Sequence, residues 1–389
     1  MPVVFNEPLS FLQRISEYME YGYLLEKASL TDDPLERMTY VSAFAVSAVS
    51  SNLERIGKPF NPLLGETYEL DRPDLGFKLM AEQVSHHPPI SAFHAESEYF
   101  KINGSIHPKL KFWGKSVEIN PKGIITLELT KYGEVYTWSN VNCCVHNVIV
   151  GKLWVEHYGI MEVLNHKTNH KCVLNFKQAG WFGKDLHKVE GYIYNQNREK
   201  LKTLYGSWVT DIYAVDVDTY ENFLKNHNSN GSHSQNNSAK TNGATGNSDV
   251  SDDIPTKSLS SFDLRIPTQQ VIWKATPRPE NSTQYFCFTS FAMALNELRE
   301  DMCRHLPPSD SRFRPDIRLL EEGQIDAAAT EKNRLEEKQR AARKDRKKKK
   351  EEWVPVWFKC GTNPHTDKED WLFKGDYWDR TWSKCPDIF

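Results

Sequence analysis

The spacing of apolar residues predicts helices in the first 57 residues. Within Pro8–Lys27 apolar side chains recur at helical intervals, at Leu9, Leu12, Ile15, Met19, Tyr23 and Leu24. Asp33–Pro34 then supplies an N-cap followed by a first-turn proline, and an apolar stripe continues behind it. Gly57 follows that stripe and ends the helical part.

From about residue 66 the apolar pattern changes to a period of two, which is typical of strands. Clear examples are 124–129, 134–138, 152–156, 172–176 and 188–193. Short turns rich in Gly, Asn and Pro separate them, and no helix of crossover length lies between them. The pattern predicts an antiparallel meander, as in a barrel or a large curved sheet. Further strands are expected near 271–274 and 285–288, and a helix over 292–304.

The rest of the chain predicts a loop, a long helix and an aromatic tail. Asn, Ser and Gly dominate 226–260, which we expect to be a disordered surface loop. Residues 326–352 contain alanines and then Glu, Lys and Arg, without Gly or Pro, and predict a polar helix. The tail from Trp353 is rich in Trp and Tyr and is expected to dock on the body. The fold class is therefore α+β, mainly β.

The charge is unevenly distributed. The formal net charge is −3, but residues 331–350 hold 11 Lys and Arg against 4 Asp and Glu, a balance of +7, which leaves −10 elsewhere. A basic segment on an acidic chain indicates an anionic partner for that segment. A nucleic acid is not expected, because acidic residues alternate with the basic ones and no aromatic side chains interleave them.

The composition narrows the class of protein. The hydrophobic fraction of 39% and the aromatic fraction of 12% suit a sizeable core or a large apolar cavity. The 7 cysteines show no CxxC spacing, so we expect no metal site. No run of 18 apolar residues and no secretory signal occur, which favours a cytosolic protein.

Two adjacent imidazoles precede two prolines in Glu82–Pro89, which reads EQVSHHPP. Prolines fix the backbone, so His86 and His87 are either part of a rigid corner or a pair of N–H donors for an anion. A metal site is poorly supported, because adjacent residues of an extended chain point to opposite faces. A hydrolase using Ser85 and His86 lacks a visible acid partner and oxyanion loop, so we expect no enzyme.

Two further segments carry candidate chemistry. Lys58–Glu66 (KPFNPLLGE) reads as an ordered turn. Such a turn can present backbone N–H groups, the Asn61 amide and the Lys58 ammonium to a phosphate, or it can be a turn without a binding role. In the polar helix, a spacing of four places Lys332, Glu336 and Arg340 on one face. By spacing alone these three residues fit an exposed ladder of ion pairs as well as they fit a binding site.

The three segments, EQVSHHPP, KPFNPLLGE and EKNRLEEKQR, resemble in sequence and order the signature blocks of the oxysterol-binding-protein-related lipid transfer family. Other stretches are similar too, including Pro108–Lys115 and the end of the chain from Trp378. The resemblance covers nearly the whole chain outside 226–260. Within the family the chain most resembles the long ankyrin-bearing member and its short relative.

The resemblance implies a fold and a site. The fold is an incomplete antiparallel barrel with N-terminal helices around an apolar tunnel that holds one lipid at a time, a sterol or a phosphoinositide. Leu63 and Leu64 would line the tunnel entrance. The head group would lie at the mouth, bound by Lys58, Asn61, His86, His87, Lys332, Glu336 and Arg340. In this assignment the imidazoles and Arg340 hold the ring phosphate, and Glu336 orients the cations beside it.

The resemblance also implies one ligand domain over 1–389. Its parts are a helical part at 1–57 without the family's usual lid, a barrel core at 58–225, the loop at 226–260 and the remainder at 261–389. The implied function is exchange of sterol and phosphoinositide between membranes, with no cofactor. The chain would touch anionic membranes peripherally, at endosomal, plasma-membrane or endoplasmic-reticulum contact sites. The alternative is a lipid sensor or scaffold that reports the bound lipid to protein partners.

Overall fold

The computed structural model describes residues 2–180, 183, 185–231 and 266–389. The loop predicted over 226–260 lies outside these residues from 232 onward, and residues 226–231 belong to a helix that ends at Gly231. The division of the chain at 57, 225 and 260 stays a prediction. None of the described helices has both the length and the apolar character needed to span a membrane.

The N-terminal part combines one strand with three helices. They are β1 Asn6–Ser10, α1 Phe11–Ser16, α2 Tyr23–Leu30 and α3 Pro34–Ser47. The prediction of one helix over Pro8–Lys27 is wrong, because β1 pairs in parallel with β2 (Lys58–Phe60) and Gly22 begins a separate helix. The second predicted helix is confirmed at its start, where the Asp33 carboxylate accepts the Leu35 N–H at 2.9 Å at the N-cap, but it ends at Ser47 instead of at Gly57.

A large antiparallel sheet follows, as the period of two predicted. Its strands are β3 Thr67–Arg72, β4 Phe77–His86, β5 Pro89–Ser97, β6 Phe100–Trp113, β7 Ser116–Lys122, β8 Ile125–Leu129, β9 Glu134–Trp138, β10 Asn142–His146, β11 Trp154–Asn165, β12 Lys171–Phe176, β13 Lys188–Tyr194, β14 Lys200–Ser207, β15 Asp211–Val215 and β16 Gln270–Lys274. Most neighbours in the sheet are also neighbours in sequence. The mainly β fold with N-terminal helices is therefore confirmed.

Helices and a small hairpin complete the described chain. They are α4 Val217–Gly231, α5 Ser290–Met293, α6 Glu300–Cys303, α7 Pro315–Glu321, α8 Ile325–Lys349, β17 Phe358–Thr362 and β18 Glu369–Phe373. The long polar helix is confirmed as α8. The strand predicted near 285–288 is wrong, because Phe286 and Cys287 have φ angles of 54° and 55°, which belong to a turn.

The helix predicted over 292–304 is also wrong, since the structure has the short helices α5 and α6 there. The chain between them turns to satisfy buried partners. The Leu295 carbonyl accepts the Gln13 side-chain amide at 3.1 Å and the Tyr68 hydroxyl at 2.8 Å. A carbonyl held in this way is tied to tertiary partners rather than to the next turn of a helix.

The two largest apolar clusters of the described residues both pack on the large sheet. The main core joins apolar side chains of α1, α2 and α3 to the sheet, where strands such as β12 alternate buried and partly buried residues. A second core packs the tail on β4 and β5, with Trp357, Phe358 and Tyr377 against Met80 and Val84. The predicted docking of the aromatic tail is thus confirmed.

Candidate functional site

A buried carboxylate, Glu66, shapes the turn after β2. Its Oε2 accepts the Leu63 backbone N–H at 2.9 Å and the Arg314 Nη1 at 2.8 Å. Its Oε1 accepts the hydroxyls of Ser10 at 2.5 Å and Ser311 at 2.7 Å. A buried charge needs such partners to offset its lost hydration. The Lys58–Glu66 segment is therefore held in one conformation by groups distant in sequence.

Arg314 extends this network to Asn61. Its Nη1 donates to the Asn61 carbonyl at 2.9 Å, while its Nε donates to Asp316 Oδ1 at 2.8 Å. On the other side of the turn, Asn6 of β1 donates to the Lys58 carbonyl at 3.0 Å. Both Lys58 and Asn61 are left with exposed side chains at the edge of a cavity.

His86 and His87 lie at the tip of the β4–β5 hairpin. A two-residue turn, His87–Pro88, joins the two strands, and its peptide bond is cis. The expectation that the two rings point to opposite faces is wrong. His86 ends the strand and His87 begins the turn, so the ring centroids lie 4.6 Å apart in an edge-to-face arrangement.

One face of α8 forms the opposite side of the cavity. Lys332 Nζ lies 2.8 Å from Glu336 Oε1, and Arg340 Nη2 lies 3.3 Å from Glu336 Oε2. The ladder predicted from the spacing of four is therefore present. Glu336 holds both cations beside it, and its pair with the exposed Arg340 gains about 0.3–0.5 kcal/mol, as helix-surface pairs of this spacing do.

Gln339 connects α8 to the hairpin and to the turn. Its Oε1 accepts the Leu64 backbone N–H at 2.7 Å, which fixes the orientation of the amide. Its Nε2 lies 3.0 Å from His86 Nε2. An amide nitrogen only donates, so His86 Nε2 is the acceptor and carries no proton.

These segments enclose a cavity of about 380 Å³. The residues that line it are Asn6, Lys58, Asn61, Leu63, His86, His87, Arg314, Lys332, Glu336, Gln339, Arg340 and Arg343. All seven predicted head-group residues lie in this lining, together with Leu63. Leu64 is not in the lining and contributes its backbone N–H to Gln339 instead.

The lining is strongly cationic. Lys58, Lys332, Arg340 and Arg343 line it with one carboxylate, Glu336, whereas Arg314 is already paired with Glu66 and Asp316. The pKa of Lys58 is lowered first by desolvation around its ammonium group and then by the charge of Lys332. The side chain of Lys58 as a whole is nevertheless exposed. Like charges gathered at one place favour an anionic ligand that would relieve their repulsion.

His86 and Glu336 respond to the same environment. Burial, and then the neighbouring His87, lower the pKa of His86, which agrees with its acceptor role toward Gln339. Burial alone would raise the pKa of Glu336, but the hydrogen bond and charge of Lys332, and the charge of Arg340, bring it below its ordinary value. The cavity thus holds a neutral His86 and an ionised Glu336 near neutral pH.

Sequence reasoning missed four lining residues: Asn6, Arg314, Gln339 and Arg343. Gln339 and Arg343 could have been predicted, because they follow Lys332 by seven and eleven residues and so share its helical face. Asn6 and Arg314 reach the site only through β1 and the Glu66 network. No pattern in the chain signals those two contacts.

The comparisons with known proteins agree with this fold. The family model described as oxysterol-binding protein matches residues 1–382. Oxysterol-binding protein-related protein 1 of Rattus norvegicus is 57% identical over 391 residues, which cover 100% of this chain and 40% of that protein. Oxysterol-binding protein-related protein 2 of Homo sapiens is 56% identical, with 100% and 81% covered. The chain therefore spans about two fifths of the first relative and four fifths of the second.

Two solved structures are similar over the whole chain. The Osh1 ORD domain in complex with cholesterol has a TM-score of 0.82 and 35% identity, and the match covers 100% of this chain and 86% of that one. The Osh3 ORD in complex with PI(4)P, from Saccharomyces cerevisiae, has a TM-score of 0.76 and 32% identity, with 100% and 91% covered. Because the family model spans nearly all of this sequence and its relatives exceed half identity over all of it, the chain belongs to the oxysterol-binding protein family.

Proposed function

We propose that the cavity binds the phosphorylated inositol head group of a phosphoinositide. The observation that carries this proposal is the position of Lys58 beside Lys332, with a lowered pKa of Lys58, opposite the His86–His87 hairpin tip. Phosphate oxygens would accept hydrogen bonds from these cations and imidazoles. The amide of Asn61 and the carboxylate of Glu336 suit the ring hydroxyls, as acceptors, and Glu336 holds Lys332 and Arg340 in place.

The chain would act as a carrier that extracts a phosphoinositide or a sterol, one at a time, and exchanges them between membranes. Support comes from its relatives: one solved family domain holds cholesterol and another holds PI(4)P. Exposing a lipid tail to water costs about 0.8 kcal/mol per methylene, so a carrier must cover the tail. In this proposal Leu63, which lines the cavity, and the adjacent Leu64 would contact the start of the lipid tail.

A hydrolase finds less support in the same geometry. In a nucleophile–base pair one imidazole nitrogen accepts the proton of the nucleophile, and an acceptor at the other nitrogen orients the ring. Here Nε2 of His86 accepts a hydrogen bond from the amide of Gln339 instead.

Extraction from liposomes tests the head-group assignment. Wild-type protein is expected to extract a labelled phosphoinositide, and His86→Ala with His87→Ala is expected to lose most of that extraction. The matched control, His305→Ala with His365→Ala, removes two exposed imidazoles outside the cavity and should extract like wild type. Equal extraction by the His86/His87 variant and wild type would show that the assignment is wrong.

Exchange between two liposome populations tests the carrier role. If sterol and phosphoinositide share one site, loading with sterol will release bound phosphoinositide, and both lipids will move in opposite directions. Tight extraction without movement between populations would instead support the lipid sensor or scaffold. Simultaneous binding of both lipids would contradict the shared site.

A further inference from the structure

Two neighbouring loops expose large apolar side chains to solvent. Phe112 at the β6–β7 tip is 74% exposed and Ile149 in the β10–β11 loop is 73% exposed. The two loops touch, since the Val148 N–H donates to the Lys115 carbonyl at 2.9 Å. We call these side chains the loop surface: Leu110, Phe112, Trp113, Val148, Ile149 and Val150. Exposed apolar side chains that are grouped together mark an interaction site more often than ones that are scattered singly.

The β6–β7 tip projects beyond the strands next to it. Ser91 of β5 is opposite Ile106 of β6, so Pro89, where β5 begins, is level with Pro108. The strand continues to Trp113, five residues further, or about 17 Å along the strand at 3.4 Å per residue. Residues 109–113 are exposed on both faces of the strand. The loop surface is therefore convex, unlike a groove that receives a peptide.

The loop surface lies at the same end of the sheet as the candidate head-group cavity. The His86–Pro89 pair closes the β4–β5 hairpin at that end. Antiparallel pairing of β5 with β6 brings the β6–β7 tip back to it. Pairing of β7 with β10 does the same for the β10–β11 loop, which the His146–Trp154 pair closes.

The two loops themselves carry charges of one sign, and the nearest carboxylate on these strands is Glu118 of β7, opposite Lys111. Residues 107–116 and 146–153 contain four lysines (109, 111, 115 and 152) and no Asp or Glu. All four lysines are exposed. Elsewhere the chain outside α8 is acidic on balance, so this concentration of lysines is local. Apolar tips surrounded by lysines complement a bilayer that has an apolar interior and anionic head groups.

We propose that the loop surface inserts into the interface of an anionic lipid bilayer. Phe112 and Trp113 would enter the boundary between head groups and acyl chains, where aromatic rings are favoured, and the lysines would contact anionic head groups. A fluid bilayer can cover both faces of the projecting hairpin, whose residues 109–113 are all exposed. The proposal does not require the cavity to bind a phosphoinositide.

Vesicle co-sedimentation tests the proposal without either proposed cargo. The vesicles contain phosphatidylcholine with about 20% phosphatidylserine and no sterol or phosphoinositide. Phe112→Ser with Trp113→Ser is expected to lower the bound fraction about tenfold, because two inserted rings are lost. Ile160→Ser with Val271→Ser is the matched control: it removes two apolar side chains that are 56% and 53% exposed on strands, and it should bind like wild type.

Each outcome decides the proposal. Unchanged binding by the Phe112/Trp113 variant, or no binding by wild type, would overturn it. A change in oligomeric state on size-exclusion chromatography without a change in vesicle binding would assign the surface to a second copy of the chain. His86→Ala with His87→Ala should keep wild-type binding to these vesicles, so failure of the head-group site is distinguishable from failure of the loop surface.

Discussion

Gln339 donates a hydrogen bond to His86, with 3.0 Å between the two Nε2 atoms, and so connects α8 to the β4–β5 hairpin. The Leu64 N–H donates to Oε1 of the same amide. The Gln339 amide therefore cannot flip to present its oxygen to the imidazole. The neutral form of His86 is therefore built into the geometry of the cavity, in the same direction as the effect of burial on its pKa.

Gln339→Glu should raise the pKa of His86. The carboxylate replaces a donor by an anionic acceptor next to Nε2, and an opposite charge at that range shifts a pKa by about one unit or more. Imidazole signals followed by NMR across a pH series measure the shift. Gln324→Glu, just before α8 and outside the cavity lining, should leave the His86 titration unchanged. An unshifted His86 in the Gln339 variant would contradict the hydrogen-bond assignment.

Head-group affinity should rise as the pH falls from about 7.5 to about 6.5, where the unperturbed imidazole titrates. Free His86 has a lowered pKa, and a phosphate that takes the place of the Gln339 amide beside Nε2 would raise it, so binding takes up a proton. Calorimetry with a water-soluble phosphoinositide, in buffers of different ionisation enthalpy, counts that proton. His86→Gln with His87→Gln should bind more weakly and lose the proton uptake. An identical pH slope in this variant would sink the idea.

Lys332→Met should weaken head-group binding about tenfold, the order of a lost hydrogen bond to a charged group. The variant also leaves Glu336 with one cation fewer, so its carboxylate repels the phosphate more strongly. Lys338→Met is the control, since Lys338 pairs with Asp387 and the Phe389 carbonyl instead of lining the cavity. Binding of a soluble phosphoinositide, followed by fluorescence, compares the two. Equal affinity for both variants would remove Lys332 from the site.

Glu66→Gln should lower the free energy of unfolding by about 3 kcal/mol, because it leaves Arg314 with an incompletely paired buried charge. Urea unfolding measures the change. Glu331→Gln removes the partly exposed partner of Arg334 and should cost under about 1 kcal/mol. Comparable losses for the two variants would show that the Glu66 network adds little stability.

Acid should destabilise the protein partly through His157. Burial, and then His187, lower the pKa of His157 to about 3, and its Nε2 faces the Asn52 amide at 3.0 Å. The unfolded chain takes up a proton near pH 6.5, whereas the native one does not. The stabilisation is therefore complete above about pH 6.5 and is lost as the pH falls toward 3. His157→Gln should show a shallower fall of melting temperature between about pH 7 and 5 than wild type. The exposed control His305→Gln should keep the wild-type slope, and equal slopes for both variants would contradict the prediction.

The strands and the long helix were predictable because their patterns are local. Alternation at β8, β9, β12 and β13 reflects one buried face, which the sequence displays directly. The failures have tertiary causes. Aromatic residues at Tyr285–Phe288 resemble a strand, but left-handed φ angles at Phe286 and Cys287 make a turn.

The cavity residues that lie in short sequence motifs could be predicted. His86 and His87 are adjacent, and Lys332, Glu336 and Arg340 share one helical face. Asn6 and Arg314 belong to neither kind of pattern, since a strand pairing and a buried carboxylate bring them to the cavity. The two rings meet because a turn begins at His87, a feature that alternation along a strand does not contain.

The central position of Glu66 affects how loss-of-binding variants in this family domain should be interpreted. Its side chain is fully buried and absent from the cavity lining, yet it fixes the turn that presents Lys58 and Asn61. A mutational scan that records only lipid extraction would rank Glu66 beside residues that touch the lipid. Ser311, far away in the sequence, would give the same false signal through its hydrogen bond to the same carboxylate. Measuring folding stability together with extraction separates a variant that unfolds the turn from one that removes a ligand contact.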